Sequence, residues 1–266
     1  MQHFNLPLHL TIKLLVTITI VSTSCFTKIP KGRNTTTINH AVYNVLLQKY
    51  VDKNGLVNYN AFINDSVALN QYLTYLGNNV PNGYDNESLA YWINAYNAFT
   101  IKTILQHSKV SSIKDISPVA AIPFVNTVWD IKNITLAGKQ TTLNTIEHKI
   151  LRKKFNDPRI HFAINCASIS CPILLNKAYE GATINEQLNM QAATFINDTT
   201  KNNLDANNPK VSSLFNWFGG DFKTKHQNKI DFINKYAFKK LPANTKLGYM
   251  PYNWQLNKQP INTGSK

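Results

Sequence analysis

The sequence predicts an α+β fold that is predominantly helical, formed by a single compact domain with a small β-sheet or hairpins. Apolar residues recur at helical spacing through most of the chain, and this spacing is the main signal for helices. The segments that carry it are 38–52, 65–76, 88–105, 142–155, 183–197 and 227–238. Strand-like patterns are confined to 129–140, 159–165 and 247–256. The first predicts a hairpin that begins at Trp129 and turns at Lys132-Asn133. The β-structure is therefore expected to be the smaller part of the fold.

The amino terminus predicts an exported protein. Residues 14–21 form an apolar run after Lys13. This run is too short for a membrane-spanning helix, which needs about 20 apolar residues, and it suits a signal peptide covering residues 1–24. Ser24 stands directly before Cys25, as in the lipobox of bacterial lipoproteins. We expect a membrane anchor through lipidated Cys25 on the periplasmic side of the cell envelope; ordinary cleavage that releases a soluble protein is the alternative.

The remaining chain predicts a tether, one domain and a short tail. Residues 25–37 contain Pro30, Gly32 and several Thr, a composition that is typical of a tether. Residues 38–257 contain no internal repeat and no boundary strong enough to divide them, so we expect one domain there. Residues 258–266 are expected to form a frayed tail.

The chain is basic, with 28 Lys and Arg against 14 Asp and Glu and a formal net charge of +14. The basic residues are scattered, apart from the run Arg152-Lys153-Lys154. No zinc finger, basic helix or aromatic RNA motif accompanies them, so we expect no nucleic-acid partner. An anionic polymer of the cell envelope stays open as a partner.

The most hydrophobic predicted helix, 88–105, carries two polar exceptions on its apolar face. Asn94 and Asn97 are three residues apart and therefore share one stripe of the helix. Asn is a poor helix former, and its amide must be hydrogen-bonded if it is buried. The two amides either fix neighbouring backbone or line a binding site.

The helix predicted over 142–155 places Glu147 on its apolar stripe. A buried carboxylate without a partner is costly, so Glu147 needs one. Arg159 is the partner that we favour, with Arg152 and His161 as alternatives. Glu147 is then either half of a structural pair or a catalytic carboxylate.

The segment 159–172 combines an Arg, a His and two Cys in a strand-then-turn pattern. In a regular strand over 159–165, His161 and Cys166 would face opposite sides, because side chains alternate. They converge only if the chain turns at Cys166. Backbone N–H groups in a turn at Ala167 and Ser168 could hold an anion.

Several motifs in fixed order resemble the domain of unknown function 547 family. These motifs are Tyr91-Trp92-Ile93-Asn94-Ala95-Tyr96-Asn97-Ala98, Ile146-Glu147-His148, Asp157-Pro158-Arg159-Ile160-His161-Phe162-Ala163, Cys166-Ala167-Ser168-Ile169-Ser170-Cys171-Pro172 and Tyr252-Asn253-Trp254-Gln255-Leu256-Asn257. The resemblance covers roughly residues 38–257. It implies no particular chemistry, since the family is named for its lack of an assigned function.

The sequence favours a surface-tethered binding or scaffold module. Cys166 and Cys171 would then form a disulfide in an oxidising compartment, with the motif's polar groups in a buried network. The candidate members of that network are Asn94, Asn97, Arg159, His148 and Ser168.

The alternative is a thiol-dependent hydrolase or acyl transferase, so enzymatic function stays open. Cys166 would be the nucleophile, His161 or His148 its base, and Asn94, Asn97 or Glu147 would orient that base. A metal site formed by His148, His161, Cys166 and Cys171 is a weaker interpretation, because the spacing H-x4-C-x4-C of the last three matches no zinc pattern. We therefore predict no metal and no cofactor.

Overall fold

The computed structural model describes residues 37–116, 127–204, 207–224 and 227–260, all within the unit Thr35–Lys266. The predicted signal peptide, the predicted lipidation site Cys25 and nearly all of the predicted tether lie outside the described residues. So do residues 261–266 of the predicted tail and part of the connection after residue 116.

The chain is α+β and predominantly helical, as the apolar periodicity predicts. The α-helices are α1 (Ala41–Tyr50), α2 (Tyr59–Phe62), α3 (Ser66–Asn78), α4 (Asn86–Gln106), α5 (Ile184–Ile196), α6 (Leu214–Trp217) and α7 (Lys229–Tyr236). The segment 142–155 contains a π-helix, Thr145–Phe155. Short 3-10 helices cover Ile63–Asp65, Ile113–Asp115, Val128–Asp130 and Pro158–Phe162. In the part of the chain that the structure describes, no helix is long and apolar enough to cross a membrane.

Two small sheets of two strands each complete the fold. Strands β1 (Ile134–Leu136) and β2 (Lys139–Thr141) are antiparallel, and β3 (Lys210–Ser212) and β4 (Gly248–Met250) are parallel. We expected the hairpin to start at Trp129 and turn at Lys132-Asn133, and this was wrong. The turn lies at Ala137-Gly138, where φ is +48° and +72°. Two successive positive φ values match the twist of a two-residue hairpin.

Helix α4 lies at the centre of the larger hydrophobic cluster and is buried along most of its length. Asp85 caps its first turn, because its carboxylate accepts a hydrogen bond from the backbone N–H of Ser88 at 2.9 Å. The helix packs against α3 and the π-helix. A second cluster around Phe162 is formed by apolar side chains of the carboxyl-terminal part, among them the aromatic residues Phe195, Phe215 and Phe232.

The strand predicted over 159–165 is wrong, because this segment forms the 3-10 helix Pro158–Phe162 and then a turn. Pro158 occupies the first turn, where its missing N–H costs nothing. Asp157 caps the helix by accepting from the N–H of Arg159 at 2.9 Å. Both neighbours His161 and Phe162 are buried, which a strand with one buried face does not allow.

Candidate functional site

A cavity of about 180 Å³ opens where α4, the π-helix, the segment 161–172, the end of α6 and the carboxyl-terminal segment meet. The described residues that line it are Tyr96, Trp129, Asn144, Glu147, His148, His161, Ile164, Cys166, Cys171, Pro172, Leu214, Trp217, Phe218, Tyr252 and Trp254. Mostly apolar walls with a few convergent polar groups are typical of a small-molecule site. The three predicted catalytic residues, Cys166, His161 and Glu147, therefore share one cavity.

Aromatic rings from two distant parts of the chain form one wall of the cavity. The ring centre of Tyr252 lies 4.8 Å from that of Trp217 and 4.6 Å from that of Trp254. Trp129 extends this row, with its ring centre 5.8 Å from that of Trp254. Trp217 keeps 47% of its surface exposed, so the wall is open to ligands at that end.

Glu147 projects from the π-helix into the protein and is 8% exposed. The Tyr96 hydroxyl donates a hydrogen bond to its Oε2 at 3.2 Å. Burial raises the pKa of Glu147 to about 7, against the opposing effects of the Tyr96 hydrogen bond and the positive charge of Arg152. A carboxyl group with this pKa can both donate and accept a proton near neutral pH.

Asp221 binds both Arg152 and the lining residue His161. Its Oδ2 accepts from Arg152 Nε at 2.6 Å and from His161 Nε2 at 2.7 Å, and its Oδ1 accepts from Arg152 Nη2 at 2.8 Å. Burial acts to raise the pKa of Asp221, but the hydrogen bonds from Arg152 and His161 outweigh it and hold that pKa well below its usual range. Asp221 is therefore a carboxylate at neutral pH.

His161 is held in one tautomer by this carboxylate. A carboxylate only accepts, so His161 carries a proton on Nε2 and its neutral form presents a lone pair on Nδ1. Burial lowers the pKa of His161, and the hydrogen bond to Asp221 only partly offsets this. The ring stacks on Phe218, with 4.1 Å between ring centres. Nδ1 makes no hydrogen bond within the described residues, so it is available to a reacting group.

His148 lies on the other side of Arg152. Its Nδ1 is 3.0 Å from Arg152 Nη1, and a guanidinium only donates, so this nitrogen accepts and Nε2 carries the proton. Burial and the neighbouring positive charge of Arg152 lower the pKa of His148. His148 is therefore a neutral hydrogen-bond donor at the cavity.

The cysteines form a disulfide, Cys166–Cys171, in the wall of the cavity. Cys166 is partly exposed, whereas Cys171 is 3% exposed. The Tyr252 hydroxyl lies 3.2 Å from Cys171 Sγ and 3.5 Å from Cys166 Sγ. A thiol nucleophile at Cys166 therefore requires reduction of this bond.

The predicted polar network divides into residues at the cavity and residues that fix the backbone. Asn94 donates to Tyr179 O at 2.8 Å and accepts from Tyr179 N at 3.0 Å. Asn97 donates to Ala163 O at 2.9 Å and accepts from Asn165 N at 2.8 Å. Both amides hold neighbouring backbone, which is the first of the two alternatives that the sequence leaves open.

Arg159 is not the partner of Glu147, contrary to the pairing that we favoured. Its Nη2 lies 2.6 Å from Asp157 Oδ2, and it also donates to the side chains of Asn185 and Asn189. Of the two amides expected to hold an anion after Cys166, that of Ala167 donates instead to Asn165 Oδ1 at 2.7 Å.

Several residues of the site were missed from the sequence. Asp221 follows Gly219-Gly220, a pair that indicates only a break in regular structure. Tyr252 and Trp254 were assigned to a strand, and Tyr96 only to an apolar helix face. The available signals were a single acidic residue after two Gly and the aromatic residues near the end of the chain. Neither signal indicates which residues these side chains contact. Within the described residues, no three His, Cys, Asp or Glu side chains lie where they could share a metal ion.

Fold and site together define an α+β domain whose cavity contains a paired cysteine, a His–Asp pair and a protonatable carboxyl group. Residues 82–196 match the model of the family described as "Protein of unknown function, DUF547". The match supports the resemblance drawn from the motifs over these residues. The match covers Tyr96, Glu147, His161 and both cysteines, whereas Asp221 and Tyr252 lie beyond it. No curated protein and no solved structure matches the chain.

Proposed function

We propose that the domain is a thiol-dependent hydrolase or acyl transferase in which reduced Cys166 is the nucleophile. The observation that carries the proposal is that Cys166 and His161 line one cavity while Asp221 holds His161 through Nε2. A cysteine, a histidine and a group that orients the histidine are the elements of nucleophilic acyl transfer. On the sequence features of residues 1–37, we further propose that the domain is tethered to the envelope through lipidated Cys25.

The reaction begins with proton transfer from the Cys166 thiol to His161 Nδ1. The Cys166 thiolate attacks the carbonyl carbon of an ester, thioester or amide, and His161 returns the proton to the leaving group. The acyl group is now a thioester on Cys166, which water hydrolyses or an amine or hydroxyl accepts. Asp221 stabilises the imidazolium that forms in each step, because its carboxylate accepts the Nε2–H throughout.

The test uses acyl transfer to the protein from p-nitrophenyl acetate, followed by mass spectrometry of the intact chain. Reduced wild type should gain one acetyl group on Cys166, and oxidised wild type should gain none there. Cys171→Ser is the matched variant, because it keeps Cys166 and cannot form the disulfide. It should be acylated without any reductant.

His161→Gln should slow acylation of Cys171→Ser by about 10²–10⁴-fold, the usual contribution of a general base. Asp221→Asn should move the pH at which acylation reaches half its maximum, since it changes the pKa of His161. The proposal is refuted if Cys171→Ser is not acylated at Cys166, or if His161→Gln is acylated at the same rate. Circular dichroism of each variant establishes that it is folded.

A second candidate is the surface-tethered binding module, which the disulfide and the aromatic wall favour. In the oxidised protein neither sulfur is a nucleophile, yet the cavity and the rings of Trp217, Tyr252 and Trp254 remain. Oligomers of N-acetylglucosamine are suitable probes, because sugar rings stack on aromatic side chains. If the oxidised protein binds these oligomers, its Trp fluorescence should change and reach a plateau as the oligomer concentration rises. Trp217→Ala should weaken that binding. An unchanged fluorescence speaks against binding of this class.

A further inference from the structure

The two sulfurs of the disulfide differ in their accessibility to an attacking group. Both cysteines line the cavity, but Cys166 is partly exposed whereas Cys171 is 3% exposed. Disulfide exchange needs attack by a thiolate on one sulfur, and the sulfur that is reached decides which cysteine leaves. Access from the cavity therefore favours attack at Cys166 and departure of Cys171.

The hydrogen bonds around the disulfide are also unequal. The backbone N–H of Cys166 donates to Cys171 Sγ at 3.1 Å. The hydroxyl of Ser168 lies 3.3 Å from this sulfur and that of Tyr252 lies 3.2 Å from it. The same two hydroxyls are farther from Cys166 Sγ, at 3.7 and 3.5 Å. Donors directed at a sulfur stabilise its thiolate, so Cys171 is the better leaving group.

We propose that Cys166–Cys171 is a thiol–disulfide exchange centre that is reduced by small thiols entering the cavity. An external thiolate forms a bond to Cys166 Sγ, the Cys166–Cys171 bond breaks, and Cys171 leaves as a thiolate. A second external thiolate attacks the external sulfur of the mixed disulfide and releases Cys166 as a thiolate. Two external thiols become one disulfide, and their two electrons reduce the cysteine pair.

Ser168 and Tyr252 assist the first of these steps. Each hydroxyl has a single proton, and Ser168 also lies 3.3 Å from the Tyr252 oxygen. When Cys171 becomes negative, both hydroxyls direct their protons to its sulfur, which is now the strongest acceptor nearby. The negative charge on Cys171 Sγ is thus stabilised by three hydrogen-bond donors, the two hydroxyls and the Cys166 N–H, that already lie close to it.

The cavity limits the size of the thiol. A volume of about 180 Å³ accommodates a small thiol or the thiol-bearing end of a larger one. Its aromatic wall favours an attacking group with an apolar stem. Dithiothreitol and cysteine are therefore suitable probes, the first more apolar than the second.

Reduction of the oxidised wild type by dithiothreitol should proceed in the folded protein, with a rate proportional to the thiolate concentration. Tyr252→Phe should react about tenfold more slowly, because the loss of one hydrogen bond to a developing thiolate has an effect of at least this order. Tyr249→Phe is the matched control, since Tyr249 is partly exposed and its hydroxyl contacts Lys229. It should react as fast as the wild type. Equal rates for Tyr252→Phe and the wild type would overturn the proposal.

The direction of attack is tested by trapping. Cys171→Ser treated with cystine should form a mixed disulfide on Cys166, and Cys166→Ser should form its adduct on Cys171 at least about tenfold more slowly, because that sulfur is buried. Faster trapping at Cys171 would refute attack at Cys166. Acylation of Cys171→Ser needs no exchange step, so failure of exchange and failure of the proposed acyl transfer are distinguishable.

Discussion

Replacing Glu147 with Gln should stabilise the protein at alkaline pH and leave its stability unchanged at acidic pH. The side chain is buried, it accepts a hydrogen bond from Tyr96, and the positive charge of Arg152 acts on it without forming an ion pair. Gln has nearly the same shape and keeps an oxygen for Tyr96, but it carries no charge at any pH. The substitution therefore isolates the cost of burying the carboxylate.

The size and sign of the effect follow from the pKa of Glu147. Burial raises it from 4.5 to about 7, which corresponds to about 3 kcal/mol of stability. Below pH 4.5 the carboxyl group is protonated in both the folded and the unfolded chain, so it imposes no penalty. Between pH 4.5 and about 7 the unfolded chain ionises first, and stability falls as the pH rises. Above about 7 the full penalty is present.

Urea unfolding at a series of pH values measures this difference. The free energy of unfolding of Glu147→Gln minus that of the wild type should be near zero at about pH 4 and rise to about 3 kcal/mol at about pH 8. The subtraction removes the titration of His148 and His161, which both chains share. Glu186→Gln, an exposed position on α5, should show no such rise. A difference that is flat over this pH range would refute the burial of an uncompensated carboxylate.

Three further predictions test other parts of the structure. Asn97→Ala should lower the free energy of unfolding by about 2–4 kcal/mol in urea, because it leaves Ala163 O and Asn165 N buried without their partner; a loss within error would contradict this. Gly55→Ala should lower the free energy of unfolding by about 2–4 kcal/mol, because φ is +75° there and an added Cβ would lie 2.6 Å from Leu174 N. Gly220→Ala is the control and should leave the free energy of unfolding unchanged, because nothing lies within 4 Å of the added Cβ. Arg152→Ala should raise the pKa of His161 in an NMR titration, because the charge of Arg152 lowers that pKa. Asp221→Asn should lower the same pKa, because Asp221 raises it. Shifts of the same sign in the two variants would exclude the ion network.

Local patterns in the sequence were sufficient to predict the longer helices and the position of their polar exceptions on buried faces, whereas the short helices α2 and α6 were missed. The apolar spacing of 88–105 corresponds to α4, and Glu147 is buried as its position on an apolar stripe implies. Asn94 and Asn97 both bind backbone. These properties depend on residues three or four positions apart, which a sequence pattern contains directly.

The partners of the site residues depend on contacts far along the chain. Asp221 lies 60 residues from His161 and 69 from Arg152, and nothing near Asp221 indicates either of them. The strand predicted over 159–165 is wrong for a related reason. Its alternation resembles a strand, but Phe162 packs into the second cluster and His161 is fixed by Asp221. Long-range packing decided the local conformation there.

Helix α4 connects the two halves of the candidate chemistry. Tyr96 and Asn97 are adjacent residues of α4 that contact different parts of the site. Tyr96 donates a hydrogen bond to Glu147, and Asn97 binds the backbone just before Cys166. The position of the carboxyl group and the position of the sulfur are thus set by adjacent residues of one buried helix. Both contacts are hydrogen bonds made by α4, which has almost no exposed surface. The core therefore fixes the placement of Glu147 relative to Cys166, and the loops that carry Asp221 and Tyr252 do not. A ligand that changes the cavity must therefore act mainly through those loops.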